Sequence, residues 1–219
     1  MREQISVTGM VLKAAPVGEY DRRLVILTRG RGKIIAFARG VRRPGNQLMA
    51  ASAPFVFGKF LMYEGRDAYT LAGAEVENYF REIAGDMEAA CYGSYFLELA
   101  DYYGRENIDA TETLRLLYQS LRALLKPSVP NRLVKPVYEL KLMEINGEYR
   151  EIPLGRLNDS TLYAWQYVLA APVESLYTFT LTDQVLGEFV RCVEQNKERF
   201  IDKTFHSLDI LNAVMDNAT

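Results

Sequence analysis

The stretch from Arg22 to Tyr63 reads RRLVILTRGRGKIIAFARGVRRPGNQLMAASAPFVFGKFLMY. It contains nine Lys and Arg side chains and not one Asp or Glu, although the whole chain has a net charge of −2. Two apolar runs, Leu24–Leu27 and Ile34–Ala38, lie inside it between basic and turn residues. Because β-branched apolar residues are depleted in disordered tails, the stretch predicts basic loops mounted on a β-sheet. Such a surface suits a phosphate backbone.

The charge of the chain is divided unevenly along its length. Residues 1–60 carry eleven basic and three acidic side chains, and 11 − 3 = +8. Residues 61–219 carry fifteen and twenty-five, and 15 − 25 = −10, which restores the total of −2. A basic first third joined to an acidic remainder predicts two domains with different partners. We place the boundary between residues 1–75 and residues 76–219.

Short segments of period two predict five antiparallel strands in the first domain. These segments are Ile5–Leu12, Leu24–Thr28, Lys33–Arg39, Phe55–Tyr63 and Ala68–Ala72. Gly30 and Gly32 can supply the positive φ angles of a tight hairpin, and residues 16–19 have the composition of a turn. We expect a long basic loop over residues 40–53, and Phe55, Phe57 and Leu61 on one face of the fourth strand. Five such strands in about 70 residues fit an OB-type β-barrel.

After Gly73 the apolar period changes from two to 3.6 and predicts helices. We expect helices over Met87–Tyr103, from Asp109–Thr111 to Lys126, from Lys135 or Pro136 to Ile145, from a Ser160 cap to Leu169, after a Thr182 cap, and over Ser207–Met215. The predicted fold class is therefore α+β, with a five-stranded OB-type barrel followed by an all-helical C-terminal domain.

The candidate DNA contacts are the basic residues of the opening stretch: Arg22, Arg23, Arg29, Arg31, Lys33, Arg39, Arg42 and Arg43. We expect them to converge on phosphates, each adding roughly −0.7 to the salt slope for a single strand. A solvated face that only keeps the domain in solution is the alternative, and the absence of acidic residues favours nucleic acid. Phe37, Phe55, Phe57 and Tyr63 are core residues on this interpretation, with at most one stacking on a base.

No catalytic or metal-binding constellation is evident, so we expect neither an enzyme nor a cofactor. Residues 30–33 lack the spacing of a P-loop, and His206 is the only histidine. Cys91 and Cys192 have no CxxC neighbour and fit small core residues. The carboxylate pairs Glu75/Glu77 and Asp101/Glu106 fit surface charges. Tyr163, Trp165 and Tyr167 fit core packing, with a groove for a partner's peptide as the alternative.

The chain has no run of eighteen apolar residues, and its N-terminal residues lead into a strand pattern, so we expect no membrane helix or signal peptide. Two cysteines without a disulfide framework suit a reducing compartment. We therefore expect a cytoplasmic protein, associated with the nucleoid if it binds DNA.

Several motifs resemble the bacterial RecO family of recombination mediators. They are Gly18-Glu19-Tyr20-Asp21-Arg22, Leu27-Thr28 followed by Gly32-Lys33, Ala38-Arg39-Gly40-Val41-Arg42-Arg43-Pro44, Pro54-Phe55, Gly65-Arg66, and Thr70-Leu71 with Glu75. Tyr138-Glu139-Leu140 and the segment 203–208 are similar to later landmarks of the family. The likeness is specific over residues 5–75 and looser beyond them.

The resemblance implies an N-terminal OB domain, a helical C-terminal domain and no bond-breaking chemistry. RecO-like proteins bind single- and double-stranded DNA, anneal complementary strands, and with RecR help to load RecA onto strands coated by single-strand-binding protein. Many also bind the acidic C-terminal tail of that coating protein through the helical domain. By position, Arg132 and Lys135, just before Tyr138, are the candidates for the tail's carboxylate.

The chain lacks one feature that is common in the family, the zinc motif. Many members carry a four-cysteine zinc motif after the helix that ends near Ile145, whereas residues 146–160 contain no cysteine. We therefore expect no zinc, and we expect Ile152, Leu154 and Leu157 to hold this segment by apolar packing.

Two other functions remain as alternatives to DNA binding. The first is an OB-fold scaffold that docks an acidic protein, and the second is a hydrolase that uses His206.

Overall fold

The computed structural model describes residues 4–216. The chain forms two compact units. The first contains the chain up to Arg81 together with Leu97–Leu114, and the second contains Glu82–Phe96 together with the chain from Arg115 onward. The boundary expected after residue 75 stays a prediction.

The first unit is built on five strands: β1 Gln4–Val17, β2 Asp21–Thr28, β3 Gly32–Ala38, β4 Phe57–Tyr63 and β5 Tyr69–Asn78. They form a closed barrel in the order β1-β2-β3-β5-β4, and β4 pairs with β1 to close it. All pairs are antiparallel except β3 with β5, which is parallel. This is the arrangement of an OB-type barrel, so the predicted α+β class is confirmed.

The barrel interior is filled by apolar side chains that alternate along the strands. Val11, Leu24, Ile26, Phe60 and Met62 are among its fully buried members. Because successive side chains of a strand point to opposite faces, the basic residues between these positions are directed outward or lie in the turns. The period-two pattern of the sequence therefore places the charges on the outside of the barrel.

Two strand boundaries differ from the predictions. β1 continues through Pro16 and Val17, which pair with Arg22 and Asp21, so the expected turn over residues 16–19 is shifted to begin at Gly18, which has a φ of 56°. Phe55 has a φ of 71° and does not belong to β4, which begins two residues later. The buried face of β4 is that of Phe60 and Met62, whereas Leu61 is exposed. The expectation was wrong for Phe55, whose left-handed backbone precedes the strand, whereas Phe57 and Leu61 share one face of β4 as expected, and this is the outward face.

The hairpin between β2 and β3 is as predicted. Gly30 and Gly32 have φ angles of 80° and 64°. An added Cβ at Gly32 would collide with the backbone oxygens of Arg105 and Ile108, so close backbone approach also requires glycine there. Lys33 N donates to Arg105 O over 2.9 Å, which fixes the segment after the third helix against this hairpin.

Eight helices lie in the part of the chain that the structure describes. They are α1 Leu48–Ala51, α2 Arg81–Gly85, α3 Met87–Tyr103, α4 Thr111–Leu124, α5 Asn131–Ile145, α6 Asp159–Ala170, α7 Asp183–Phe200 and α8 His206–Asp216, with a short 3₁₀ turn at Val173–Ser175. The sequence analysis missed the short α1 and α2. It also began α5 too late, because Pro136 was read as a helix start although it lies inside the helix. Asn158, not Ser160, caps α6, accepting a hydrogen bond from Ser160 N at 2.8 Å.

The segment between α5 and α6 is held by polar contacts and not by the apolar packing expected. Ile152 and Leu154 are 66% and 55% exposed. The indole of the fully buried Trp165 donates to Arg150 O over 3.0 Å, and Asn196 bonds to Arg150 N and to Glu148 O, both over 3.1 Å. The expectation was wrong because side chains of α6 and α7 form hydrogen bonds with the backbone of this segment. The sequence alone does not show that these two helices lie next to it. Trp165 itself is a core residue, as predicted, whereas Tyr163 is 71% exposed and Tyr167 is half-buried, so the core prediction was wrong for Tyr163.

In the part of the chain that the structure describes, none of the helices combines the length and the apolar character needed to cross a membrane.

Candidate nucleic-acid interface

The loop between β3 and α1 presents the densest group of exposed cations on the barrel. Arg39, Arg42 and Arg43, here called the basic-loop cluster, are all exposed. None of the three forms an ion pair within residues 4–216. An exposed guanidinium without a carboxylate partner is available to a phosphate.

The loop is tied to the turn between β1 and β2. Arg42 N donates to Tyr20 O over 2.9 Å, and Gly40 N donates to Oδ1 of Asp21 over 2.7 Å. The guanidinium of Arg43 lies over the Tyr20 ring, 5.0 Å from its centroid. These contacts give the basic-loop cluster a fixed position on the barrel, which lowers the conformational entropy lost on binding.

Arg22 supports the other side of the same loop. Its Nη1 donates to Oγ of Ser52 over 2.9 Å and to Met49 O over 3.1 Å. It therefore connects β2 to α1 and to Ser52, the residue that follows α1. Its neighbour Arg23 is half-buried and pairs in register with Phe37 of β3.

The three other predicted contacts lie at the β2–β3 hairpin, and acidic side chains engage two of them. Arg29 is exposed. Arg31 pairs with Glu64, with Nη1 and Oε1 3.5 Å apart, and donates to the Tyr69 hydroxyl over 3.1 Å. Lys33 Nζ lies 3.1 Å from Oδ1 of Asp101 and donates to Asp101 O over 2.7 Å.

Asp101 is more than the surface charge that the sequence suggested. Its side chain is only 16% exposed and accepts from Lys13 Nζ over 2.7 Å as well as pairing with Lys33. Burial alone would raise the pKa of Asp101, but the hydrogen bonds from Lys13 and Lys33 lower it below its ordinary value. Lys33 therefore has a structural partner within its own unit.

The structure divides the predicted DNA contacts into two groups and does not bring them to one point. Arg22 pairs with Ala38 at one end of the β2–β3 ladder, and Thr28 pairs with Gly32 at the other. Seven residues of β3 separate the ends, and a strand rises about 3.3 Å per residue, so the groups lie roughly 20 Å apart. The expected convergence is wrong in this respect, although a polynucleotide several residues long could span both groups.

The aromatic residues considered for base stacking are all accessible in part. Phe37, Phe55 and Phe57 are half-buried, and Tyr63 is 37% exposed. No observation selects one of these four. Tyr20, which was not among the residues considered for stacking, is also 37% exposed, and its ring lies under the guanidinium of Arg43 of the basic-loop cluster.

In the second unit, Arg132 and Lys135 occupy different environments. Arg132 is exposed at the start of α5 and forms an exposed ion pair with Asp183. It lines a recess whose other members are both apolar and charged, and the charged ones include the acidic Glu82, Asp86 and Glu88. Lys135 is 14% exposed and is bound by Glu139 and Glu194, whose oxygens lie 3.2 and 2.7 Å from its ammonium. The two side chains do not form a joint cationic site.

The residues weighed for catalysis remain isolated. His206 is exposed at the first position of α8, Cys192 is buried and Cys91 half-buried. Within residues 4–216, no group of three or more His, Cys, Asp or Glu side chains is arranged to hold a metal ion.

Two family models match the chain up to residue 151. The one described as "Recombination protein O N terminal" matches residues 1–80, and the one described as "Recombination protein O C terminal" matches residues 84–151. The chain belongs to the RecO family.

Individual RecO proteins support this membership. The chain is 22% identical over 243 aligned residues to the DNA repair protein RecO of Acetivibrio thermocellus, covering 96% of the chain and 97% of that relative. It is 34% identical over 143 residues to the DNA repair protein RecO of Alkaliphilus metalliredigens, and the match covers 65% of the chain and 58% of that relative. It is 31% identical over 144 residues to the DNA repair protein RecO of Bacillus subtilis, and the match covers 66% of the chain and 56% of that relative. The matches to the latter two span just over half of each relative's length.

Within this RecO-family fold, the N-terminal match ends at residue 80, where the first of the two segments of the barrel unit ends. The segment where many members carry a zinc motif lies in the second unit and is held here by Trp165 and Asn196 through the backbone of residues 148–150. With no cysteine in residues 146–160, this segment does not fit a structural zinc ion.

Proposed function

We propose that the chain acts in DNA repair and recombination as a mediator that binds single- and double-stranded DNA through the barrel. The observation that supports the proposal is the basic-loop cluster: three exposed guanidinium groups, unpaired in the part of the chain that the structure describes, on a loop tied to the neighbouring turn. Membership of the RecO family supports the repair role.

The chemistry of the cluster suits binding without sequence readout. Arg side chains at phosphates fix the position of a polynucleotide but carry no base information. A cationic surface that holds two strands also screens their mutual repulsion, which promotes annealing of complementary strands. The proposed annealing needs no bond to be broken by the protein.

The hairpin group would extend the same contact. The side chains of Arg31 and Glu64, which form an ion pair, are 40% and 42% exposed. Exposed ion pairs contribute at most about 1 kcal/mol to stability. A phosphate can therefore replace Glu64 at Arg31. Lys33 is held by Asp101 and contributes mainly to the local potential.

We also propose that the helical unit binds protein partners, which for this family would be RecR and the acidic tail of the single-strand-binding protein, and so helps RecA to load on coated strands. Arg132 is the candidate for the tail's carboxylate, because its partner Asp183 is 83% exposed and can be displaced. Lys135 would act indirectly, since its ammonium is already bound by two carboxylates. This activity would take place in the cytoplasm, at the nucleoid.

The DNA proposal is tested by a triple variant with Arg39, Arg42 and Arg43 replaced by Ala. Affinity for a labelled single strand is measured by filter binding over a range of salt concentrations. We expect weaker binding and a salt slope shallower by about 2, since each lost phosphate contact removes about 0.7. The matched control replaces three exposed arginines of the second unit, Arg122, Arg156 and Arg191, and changes the net charge equally.

An equal loss in both triple variants would show a general charge effect and contradict the assigned interface. Binding of an acidic protein but not of DNA by the unmodified chain would favour the scaffold function instead. The partner proposal is tested separately by a pull-down with the coating protein's C-terminal peptide, which we expect Arg132→Ala to weaken. Unchanged capture of the peptide by that variant would remove Arg132 from the site.

A further inference from the structure

A recess of about 540 Å³ lies between the β1–β2 turn and the start of the basic loop. Its lining includes Tyr20 and four charged side chains, Glu19, Asp21, Arg39 and Arg43. A volume of this size is within the range that holds small organic ligands. The recess is therefore large enough for one nucleobase with its sugar.

The charges around the recess balance. Two carboxylates face two guanidinium groups, so a phosphate placed inside would gain little net attraction. The Asp21 carboxylate is also fixed, because one of its oxygens accepts from Gly40 N over 2.7 Å. A neutral group with hydrogen-bonding edges suits this lining better than an anion does.

The aromatic element of the recess is already arranged for stacking. The guanidinium of Arg43 lies 5.0 Å from the centroid of the Tyr20 ring, and the residue is still 37% exposed. The backbone oxygen of Tyr20 accepts from Arg42 N over 2.9 Å, which holds the main chain of Tyr20 beside the loop. An aromatic ring paired with an arginine is a platform on which any base can stack.

We propose that this recess binds one nucleobase of single-stranded DNA, stacked on the Tyr20–Arg43 pair, while Arg39 and Arg42 hold the adjoining phosphates. This proposal rests on the DNA binding proposed above and assigns it a base site. Bases of a duplex are paired and stacked within the helix, so they cannot enter the recess. Tyr20 would therefore favour single strands, whereas the guanidinium groups bind the backbone of either form.

The experiment compares three probes of equal length: a single-stranded oligonucleotide, the same backbone with abasic sites throughout, and a duplex. Stacking of one base changes affinity by roughly tenfold or more. We expect Tyr20→Leu to weaken binding of the intact single strand by about tenfold, and to weaken binding of the abasic strand and the duplex much less, because Arg43 loses its ring contact but keeps its charge. Tyr20→Phe should retain the binding of the original protein, because the ring is kept.

A matched control is Tyr163→Leu, which removes a 71% exposed tyrosine from the second unit. It should leave all three affinities unchanged. As a measurement that does not depend on a variant, irradiation with an oligonucleotide carrying 5-iodouracil should give a cross-link that maps to the peptide containing Tyr20.

The outcomes separate this inference from the function on which it rests. If the unmodified protein binds none of the probes, the proposed DNA binding is wrong and the base site with it. If it binds intact and abasic strands equally well, or if Tyr20→Leu weakens all three probes alike, DNA binding stands and the base site is overturned. Cross-links only to peptides other than that of Tyr20 would also overturn it.

Discussion

The hydroxyl of Tyr95 donates a hydrogen bond of 2.6 Å to Oε1 of Glu139, a residue with only 1% of its surface exposed. Lys197 donates to the same oxygen over 2.9 Å, and Lys135 lies 3.2 Å from it. Glu194 bridges both lysines over 2.7 and 2.6 Å. Two acids and two bases therefore alternate between α5 and α7, their charges sum to zero, and α3 contributes Tyr95 to the same cluster.

Replacing Glu139 by Gln should strongly destabilise the second unit. The change leaves two lysines facing one remaining carboxylate in a largely buried place, and removal of one member of a buried ion pair costs about 3–5 kcal/mol. We expect a loss of about 3 kcal/mol in the free energy of unfolding, measured by urea titration. Glu144→Gln is the control, because Glu144 pairs with Lys141 on the same helix but is itself 28% exposed, and Lys141 keeps its hydrogen bond to Leu169 O; this change should cost less than about 1 kcal/mol. Equal losses of stability in the Glu139→Gln and Glu144→Gln variants would show that the four charged side chains of the cluster do not depend on one another.

The same cluster predicts a loss of stability at alkaline pH. Burial and the adjacent Glu139 raise the pKa of Tyr95 well above its ordinary value. A raised pKa means that the folded state retains a proton that the unfolded state loses above about pH 10, so stability falls as pH rises through that range. Tyr95→Phe cannot titrate, so the stability difference between the original protein and this variant should shrink above about pH 10. A difference that stays constant from pH 8 to pH 11 would contradict the role of Tyr95.

Asp101 gives the opposite dependence in the barrel unit. Although burial opposes ionisation, Lys13 and Lys33 lower its pKa, so its contribution is present above the unfolded pKa of about 3.9 and is lost as pH falls further. We expect Asp101→Asn to cost about 1 kcal/mol at pH 7 and to become nearly neutral below about pH 3. Unfolding of both proteins by denaturant at pH 7, 5 and 3 measures this. A cost that is independent of pH would show that hydrogen bonding, and not charge, stabilises the contact.

The sequence predicts the local features of this fold and misses those that depend on distant residues. Alternation along the strands and the two hairpin glycines are local, and both were read correctly. The partner of Lys33 lies 68 residues away on α3, so no pattern in the sequence could reveal that this cation is already engaged. Tyr20 was missed for the same reason, since its contact with Arg43 depends on a loop that returns from the far end of β3.

A comparison of substitutions at Gly30 and Gly32 distinguishes the cost of backbone strain from the cost of a steric collision in the same hairpin. Both have positive φ angles, of 64° and 80°, but an added Cβ at Gly30 meets nothing within 4 Å. Gly30→Ala should therefore cost only the conformational strain of about 1 kcal/mol. Gly32→Ala should cost about 3 kcal/mol or more, because the new methyl group would collide with two backbone oxygens. Thermal and urea unfolding of the two variants test this, and a similar cost for both would mean that the contact with residues 105–108 yields easily.

The ion pair between Arg31 and Glu64 predicts a variant that binds DNA more tightly. Glu64→Gln removes the negative charge 3.5 Å from Arg31, so a phosphate no longer competes with this carboxylate. If the hairpin group contacts DNA, the affinity for a single strand should rise about two- to threefold at low salt, and the salt slope should steepen by up to about 0.7. The control is Glu77→Gln, an exposed carboxylate of the same unit that forms no ion pair within residues 4–216. An equal rise in both variants would reflect only the change in net charge, and no rise in either would restrict the DNA contact to the basic-loop cluster.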